Sequence, residues 1–312
     1  MRNLLRALLV VEGLLFAQPL AVNTGVPLAL QPGGLLTCEG DWINLAGGTF
    51  QNSGTVYLSG DLQNDDVGQF FVVGGPPGTL ILNGAQQTLR GSQPIRTDTL
   101  RLEGTAAKVL ATDLYIDQQL VLGDAELRTR TRFAAVRNPD PSAILRNTGF
   151  VSSDLGGYLE RATDRSAPYL FPVGGYTPLR YRPVVLTPTT AALHRFAVRL
   201  ANVDPTSEAL PRAQRNPALC EINPLYYHYV NRLAGSDPVT LTLTYDPTDP
   251  VKGPLAQWKG QWEPTPAGTG PGPTDWTLPT WDDFSSPNFA FSAPAFTAQI
   301  SASADTLNPG EP

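Results

Sequence analysis

Charge is what this chain has least of. Only 16% of its 312 residues are Asp, Glu, Lys or Arg, against roughly 25% in an average soluble domain. Lysine supplies just three of the 22 basic residues, at Lys108, Lys252 and Lys259. The basic residues are scattered and the net charge is −6, whereas nucleic acid and anionic membranes demand a basic stripe, so the sequence points to neither partner. Histidine and cysteine are equally scarce: His194, His228, Cys38 and Cys220 are the full set. The two histidines lack metal-ligand spacing, and neither lies near a Gly-x-Ser-x-Gly turn, so the expectation is no metal, no cofactor and no hydrolytic triad. No run of about 20 apolar residues is present to span a bilayer as a helix.

What is abundant is glycine and proline, 29 and 30 residues respectively. Proline at that density breaks helices. The apolar share of 41%, with 12 Phe, 10 Tyr and 5 Trp, is too high for simple disorder. Short strands joined by Gly/Pro turns remain, and the length suggests about two domains.

Residues 1–17 read as an export signal. Arg2 and Arg6 precede the apolar stretches Leu8-Leu9-Val10-Val11 and Leu14-Leu15-Phe16-Ala17, with Glu12 between them and a cut expected after Ala17. A short N-terminal amphipathic helix is the competing reading. Export would make a Cys38–Cys220 disulfide permissible.

Residues 18–138 carry a repeat. The pattern apolar-x-apolar-x-Gly occurs at Leu36–Gly40, Val56–Gly60, Leu80–Gly84 and Leu100–Gly104, with a degenerate copy at Leu120–Asp124. A weaker series, Phe50, Phe70, Leu89 and Val109 or Leu110, runs between the copies. Alternation within each copy is that of a strand with one buried face. A period near 20 predicts a parallel β-solenoid, in which each coil buries its apolar face only against its neighbours. The longer second interval fits a surface insertion at Val73–Gly78. Evenly spaced antiparallel hairpins are the alternative, kept open by the tight-turn sequence Asn52-Ser53-Gly54. Cys38 occupies a slot held by Leu58, Leu82, Leu102 and Leu122 elsewhere, which predicts a small buried hydrophobe rather than a disulfide partner.

The Pro-rich stretch Arg137–Ser142 marks a boundary, and residues 143–300 read as a β-sandwich. Its candidate strands are Arg182–Thr187, Arg195–Leu200, Tyr226–Asn231 and Val239–Tyr245; the last alternates apolar residues with Thr. Residues 201–224 read as a long polar connection, Gly268–Pro273 as a loop, and residues 301–312 as a tail or linker.

The motifs then resemble a known family. Gly48-Thr49-Phe50-Gln51-Asn52-Ser53-Gly54-Thr55-Val56-Tyr57, Gly60-Asp61-Leu62 and Gly84-Ala85-Gln86-Gln87-Thr88-Leu89-Arg90-Gly91 are similar to segments of secreted surface proteins of Bacteroidota exported by the type IX secretion system. So are Tyr169-Leu170-Phe171-Pro172-Val173-Gly174, Tyr181-Arg182-Pro183-Val184 and Trp258-Lys259-Gly260-Gln261-Trp262. The resemblance covers roughly residues 30–300. It implies a secreted or outer-surface structural protein with adhesive or gliding-associated modules, whose partners are other cell-surface or filament proteins or further copies of itself. Such proteins usually end in a sorting domain, which is not visible before Pro312.

Three sets of residues are candidates for chemistry or binding. Trp258, Trp262, Trp276 and Trp281 could stack on sugar rings, or fill a core. Asp61, Asp65, Asp66, Asp113 and Asp117 could supply the paired carboxylates of a polysaccharide lyase or hydrolase, or stabilise turns. Asp246-Pro247-Thr248-Asp249-Pro250 could offer oxygens to Ca²⁺, or form an Asx/Pro turn. The reading favoured by the sequence is a non-enzymatic, exported structural or adhesive protein. A carbohydrate-binding module comes second and a polysaccharide-cleaving solenoid third.

Overall fold

Leu36, Val56, Leu80, Leu100 and Leu120, the repeat positions of the sequence, lie in register in the computed structural model. It describes residues 20–66, 75–272 and 274–295. The export segment 1–17, Phe70, Val73, Gly74, Pro273 and the tail 301–312 lie outside the described residues. Among the described residues there is no α-helix, only two 3-10 turns at Pro141–Ala143 and Pro205–Glu208. None of their helices is long and apolar enough to cross a membrane. The chain divides into two compact units, Met1–Val151 and Ser152–Pro312.

The first unit is a parallel β-solenoid. One face stacks Leu35–Cys38, Thr55–Leu58, Thr79–Leu82, Ile95–Leu102, Leu114–Val121 and Phe133–Val136. A second face stacks Leu20–Thr24, Asp41–Leu45, Leu62–Asn64, Gln87–Arg90, Lys108–Leu110 and Glu126–Arg128. A third side exists where Pro27–Leu30 pairs with Thr49–Asn52. Alternate residues such as Val56, Leu58, Leu80, Leu82, Leu100 and Leu102 are buried. Each buried leucine contributes about 1.5–3 kcal/mol to the stack.

The hairpin alternative is excluded for Asn52-Ser53-Gly54. That turn is a corner between two sides, with the Ser53 N–H donating to Leu30 O of the neighbouring coil. The repeat glycines serve two different ends. A Cβ on Gly60 would sit 2.2 Å from the Gly40 carbonyl carbon, so stacked corners leave it no room. Gly104 has open space around it but a φ of +75°. The second apolar series is partly corrected. Phe50 lies on the third side, and the inward series of the second face is Trp42, Leu62, Leu89 and Leu110.

The Pro-rich stretch does not end the first unit. Asp140 accepts from Ser142 N and caps the Pro141–Ala143 turn, after which Ile144–Leu145 pairs with Leu114–Val121. The division falls instead at Val151/Ser152, beyond the interval of residues 138–143 read from local composition.

Most described strands of the second unit fall in two antiparallel arrays, beside the short pair Val173–Gly175 and Arg180–Tyr181. One runs through Tyr158–Thr163, His194–Ala201, Tyr227–Ala234, Asn288–Pro294, Leu255–Trp258 and Trp262–Pro264. The other joins Tyr169–Phe171, Val184–Pro188, Val239–Thr244, Asp275–Trp281 and Thr269–Gly272. Val239, Leu241 and Leu243 are buried while the intervening threonines are not, as the alternation predicts. Rings from the two sheets meet: Trp281 packs on Phe289 at 5.5 Å between centroids, and Tyr245, just past its strand, on Phe291 at 5.3 Å. Two connections are more ordered than their composition suggests. Thr269–Gly272, within the expected loop, is an edge strand, and the 201–224 segment contains the strand Leu219–Ile222.

Candidate functional site

Polar side chains at the solenoid corners pin each coil to the next. Asn23 Nδ2 donates to Asn44 Oδ1 at 3.1 Å, and Asn44 Nδ2 donates to Asn64 Oδ1 at 3.1 Å. All three are buried. Asn44 Nδ2 also reaches Gly48 O, and Asn64 Nδ2 reaches Pro94 O. At another corner Gln87 Nε2 donates to Leu58 O and Gly60 O, and Lys108, one coil later in the same register, donates to Gly84 O and Ala85 O. Burial lowers the Lys108 ammonium to about 8. The asparagine ladder was not picked out from the sequence, although intervals of 21 and 20 residues advertise it.

The candidate carboxylates belong to the same pinning system. Asp61 accepts from Thr88 N at 2.8 Å and pairs with Arg90 at 3.2 Å. Asp65 accepts from Ser92 N and Gln63 Nε2, which hold it below its ordinary value. Asp66 accepts from Gly47 N at 2.7 Å, and Asp113 from Phe133 N. Asp117 lies on the other face, between Arg96 at 2.5 Å and Arg137 at 3.6 Å. Asp61 and Asp66 therefore do not converge with Asp117 on one groove. Asp98, absent from the candidates read in the sequence, neighbours Asp117. Burial raises its carboxyl, the Gly78 N–H opposes this, and the Asp117 charge pushes it further up.

In the second unit the Asp246–Pro250 segment is an Asx turn. Asp246 accepts from Thr248 N and Oγ1. Asp249 is buried and takes both ends of the Arg182 guanidinium, at 3.0 and 2.8 Å, together with Tyr226 Oη at 2.6 Å. Burial opposes ionisation of Asp249, but these donors keep its carboxyl below its ordinary value. Its oxygens are thus already engaged. Among the described residues no group of three or more His, Cys, Asp and Glu is placed to hold a metal. His228 is buried, bonds the Arg182 carbonyl through Nε2 at 3.0 Å, and is lowered to about 4 by burial. His194 is buried with Nε2 3.3 Å from Asp237.

The four tryptophans do not form one row. Trp258 and Trp262 flank the hairpin between Leu255–Trp258 and Trp262–Pro264 and meet edge to face at 5.4 Å. Trp276 and Trp281 belong to the other sheet. Trp262 and Trp281 are buried, whereas Trp258 and Trp276 keep part of their surface in solvent.

The first described coil presents a largely apolar opening. A cavity of about 520 Å³ is lined by Val22, Asn23, Leu36, Cys38, Trp42 and Phe50, the last two stacked at 5.0 Å. Leu20, Val22, Val26 and Leu35 are exposed around it. Cys38 is half-buried instead of buried, its strand being the sheet's edge among the described residues. Cys38 and Cys220 are both free thiols.

No family model matches the chain, and no curated protein or solved structure is significantly similar to it.

Proposed function

We propose that the chain is an exported, non-enzymatic scaffold of the outer cell surface, acting through β-rich assembly and contacts with other surface or filament proteins. The observation that carries this reading is how the polar groups of the solenoid are used. Asn44, Asn64, Asp61, Asp66, Gln87 and Lys108 each bond a neighbouring coil, an arrangement suited to bearing load. The order of motifs shared with type IX-exported proteins of Bacteroidota supports the location. In this reading the two antiparallel sheets of the second unit work as a β-sandwich whose loops make the contacts. Protease shaving of intact producing cells tests it: loss of the chain without lysis is expected, and full protection would refute a surface location.

A second reading, glycan binding, rests on the solvent-facing parts of Trp258 and Trp276, since indole faces stack on sugar rings. A glycan array comparing wild type with Trp258→Ala and Trp276→Ala decides it. Binding lost in either variant supports the reading, and a silent wild type removes it.

A further inference from the structure

A second cavity of the solenoid is polar where the first is apolar. Arg101, Val121 and Leu145 stand in register on three successive coils, and they alternate with the buried Leu100, Leu120 and Ile144, so their side chains point outward. Among the described residues these three help to line a cavity of about 540 Å³. Its apolar lining includes Val121 and the exposed Leu145, and its charged lining is Arg101, Glu103, Asp124 and Arg146.

The charged groups are set in place by the chain itself. Arg101 Nε lies 3.3 Å from Glu103 Oε1. Arg146 donates through Nε to Gly149 O at 2.6 Å and through Nη2 to Thr148 O at 2.8 Å. Asp124 accepts from Thr148 Oγ1 and N, and these bonds hold its carboxyl below its ordinary value. Two cations and two anions therefore surround the cavity, with no net charge between them.

That balance selects the ligand. A volume of this size takes a small molecule or one stretch of a chain, not a folded partner. An anion would meet Glu103 and Asp124, and a cation would meet Arg101 and Arg146. A wholly apolar molecule would strip water from four charged groups and return no hydrogen bond. A zwitterion would have to draw Arg101 away from Glu103. A sugar ring has none of these conflicts. Its hydroxyls donate to the carboxylates and accept from the guanidinium groups, while its C–H face rests on Val121 and Leu145. Thr99 and Gln119, paired two residues back on the same strands, carry the polar surface onward, so several linked sugars fit better than one.

We propose that this cavity is a subsite for a neutral oligosaccharide. It uses neither Trp258 nor Trp276, and it goes beyond the scaffold reading, which a negative result leaves standing.

Calorimetric titration of the full chain tests the proposal. The probes are neutral hexasaccharides of β-1,4-glucose, α-1,4-glucose, β-1,3-glucose and β-1,4-mannose, each up to about 5 mM to reach weak affinities. At least one is expected to bind, with the same affinity at about 0.05 and about 0.5 M NaCl, because no ion pair with the ligand is there to be screened. With that sugar bound, amide hydrogen exchange of residues 101–105 and 145–147 should slow. Arg101→Ala and Leu145→Glu alter exposed side chains only. Each should weaken binding by about tenfold or more with circular dichroism unchanged. A wild type that binds none of the four overturns the proposal. Affinity that collapses at high salt does so too, since it marks an ionic contact. Binding that survives both variants, or leaves exchange at the cavity unchanged, refutes this site while leaving the tryptophan reading intact.

Discussion

Buried polar side chains are usually a liability, and Asn44 and Asn64 offset it by bonding a neighbouring coil. Asn44 sits in the middle of its ladder, accepting from Asn23 and donating to Asn64 and Gly48. Asn44→Ala removes these bonds and strands groups that water cannot reach, so stability should fall by about 1–3 kcal/mol in a urea titration. His228 gives a pH signature. Burial holds its imidazole at about 4, below the ordinary 6.5. Between those values the unfolded chain binds a proton that the folded chain refuses, so stability is full above about 6.5 and falls on acidification, by up to about 3 kcal/mol. Melting curves at pH 7 and pH 4.5 should show the loss. His228→Asn should lower the melting temperature at pH 7 and flatten its pH dependence.

At the scale of coils and strands, the glycines separate two kinds of constraint. Gly60→Ala drives a Cβ into the Gly40 backbone, which cannot move without unstacking a corner. Gly104→Ala meets no neighbour and suffers only its positive φ, a cost of about 1 kcal/mol. Denaturant titrations should therefore show Gly60→Ala as the clearly more damaging of the two. The sequence pattern treats both glycines alike, because it records the residue and not the approach of another coil. What it did expose was register: a one-residue slip would turn Leu80, Leu100 and Leu120 out of the core, so their alternation fixes the pairing. The side holding Phe50 was misassigned because, among the described residues, it shows only the strands Pro27–Leu30 and Thr49–Asn52, too few to display a period. Asn23, Asn44 and Asn64 went unread because the repeat was traced through its apolar residues and glycines, and a polar residue recurring between them was passed over. The division at Val151/Ser152 was hidden for a related reason: proline is a local signal, whereas the pairing of Ile144 with Leu120 is made across 24 residues.

For the molecule as a whole, the candidate site was the least legible part. Trp258, Trp262, Trp276 and Trp281 are neighbours in sequence, yet antiparallel pairing assigns them to two sheets and buries two of them. Asp61 and Asp117 look alike in sequence but face different sides of the coil. The solenoid permits a further prediction. Leu100 pairs with both Leu80 and Leu120, so excising residues 100–119 lays Leu120 directly on Leu80. That deletion should retain a β-type circular dichroism spectrum and a cooperative melt. Excising residues 100–109 breaks the register and should abolish both.

The same stacking has a consequence for how such a chain can change over time. The parallel ladders of the first unit close loops of 19 to 27 residues, so adding a coil asks for no longer closure than those already present. Duplication or loss of a single 20-residue stretch of coding sequence would then alter the reach of the stack by about 4.8 Å, leaving its corners and inward leucines to be reused unchanged. Length in this architecture is a heritable quantity that can vary in small, equal increments.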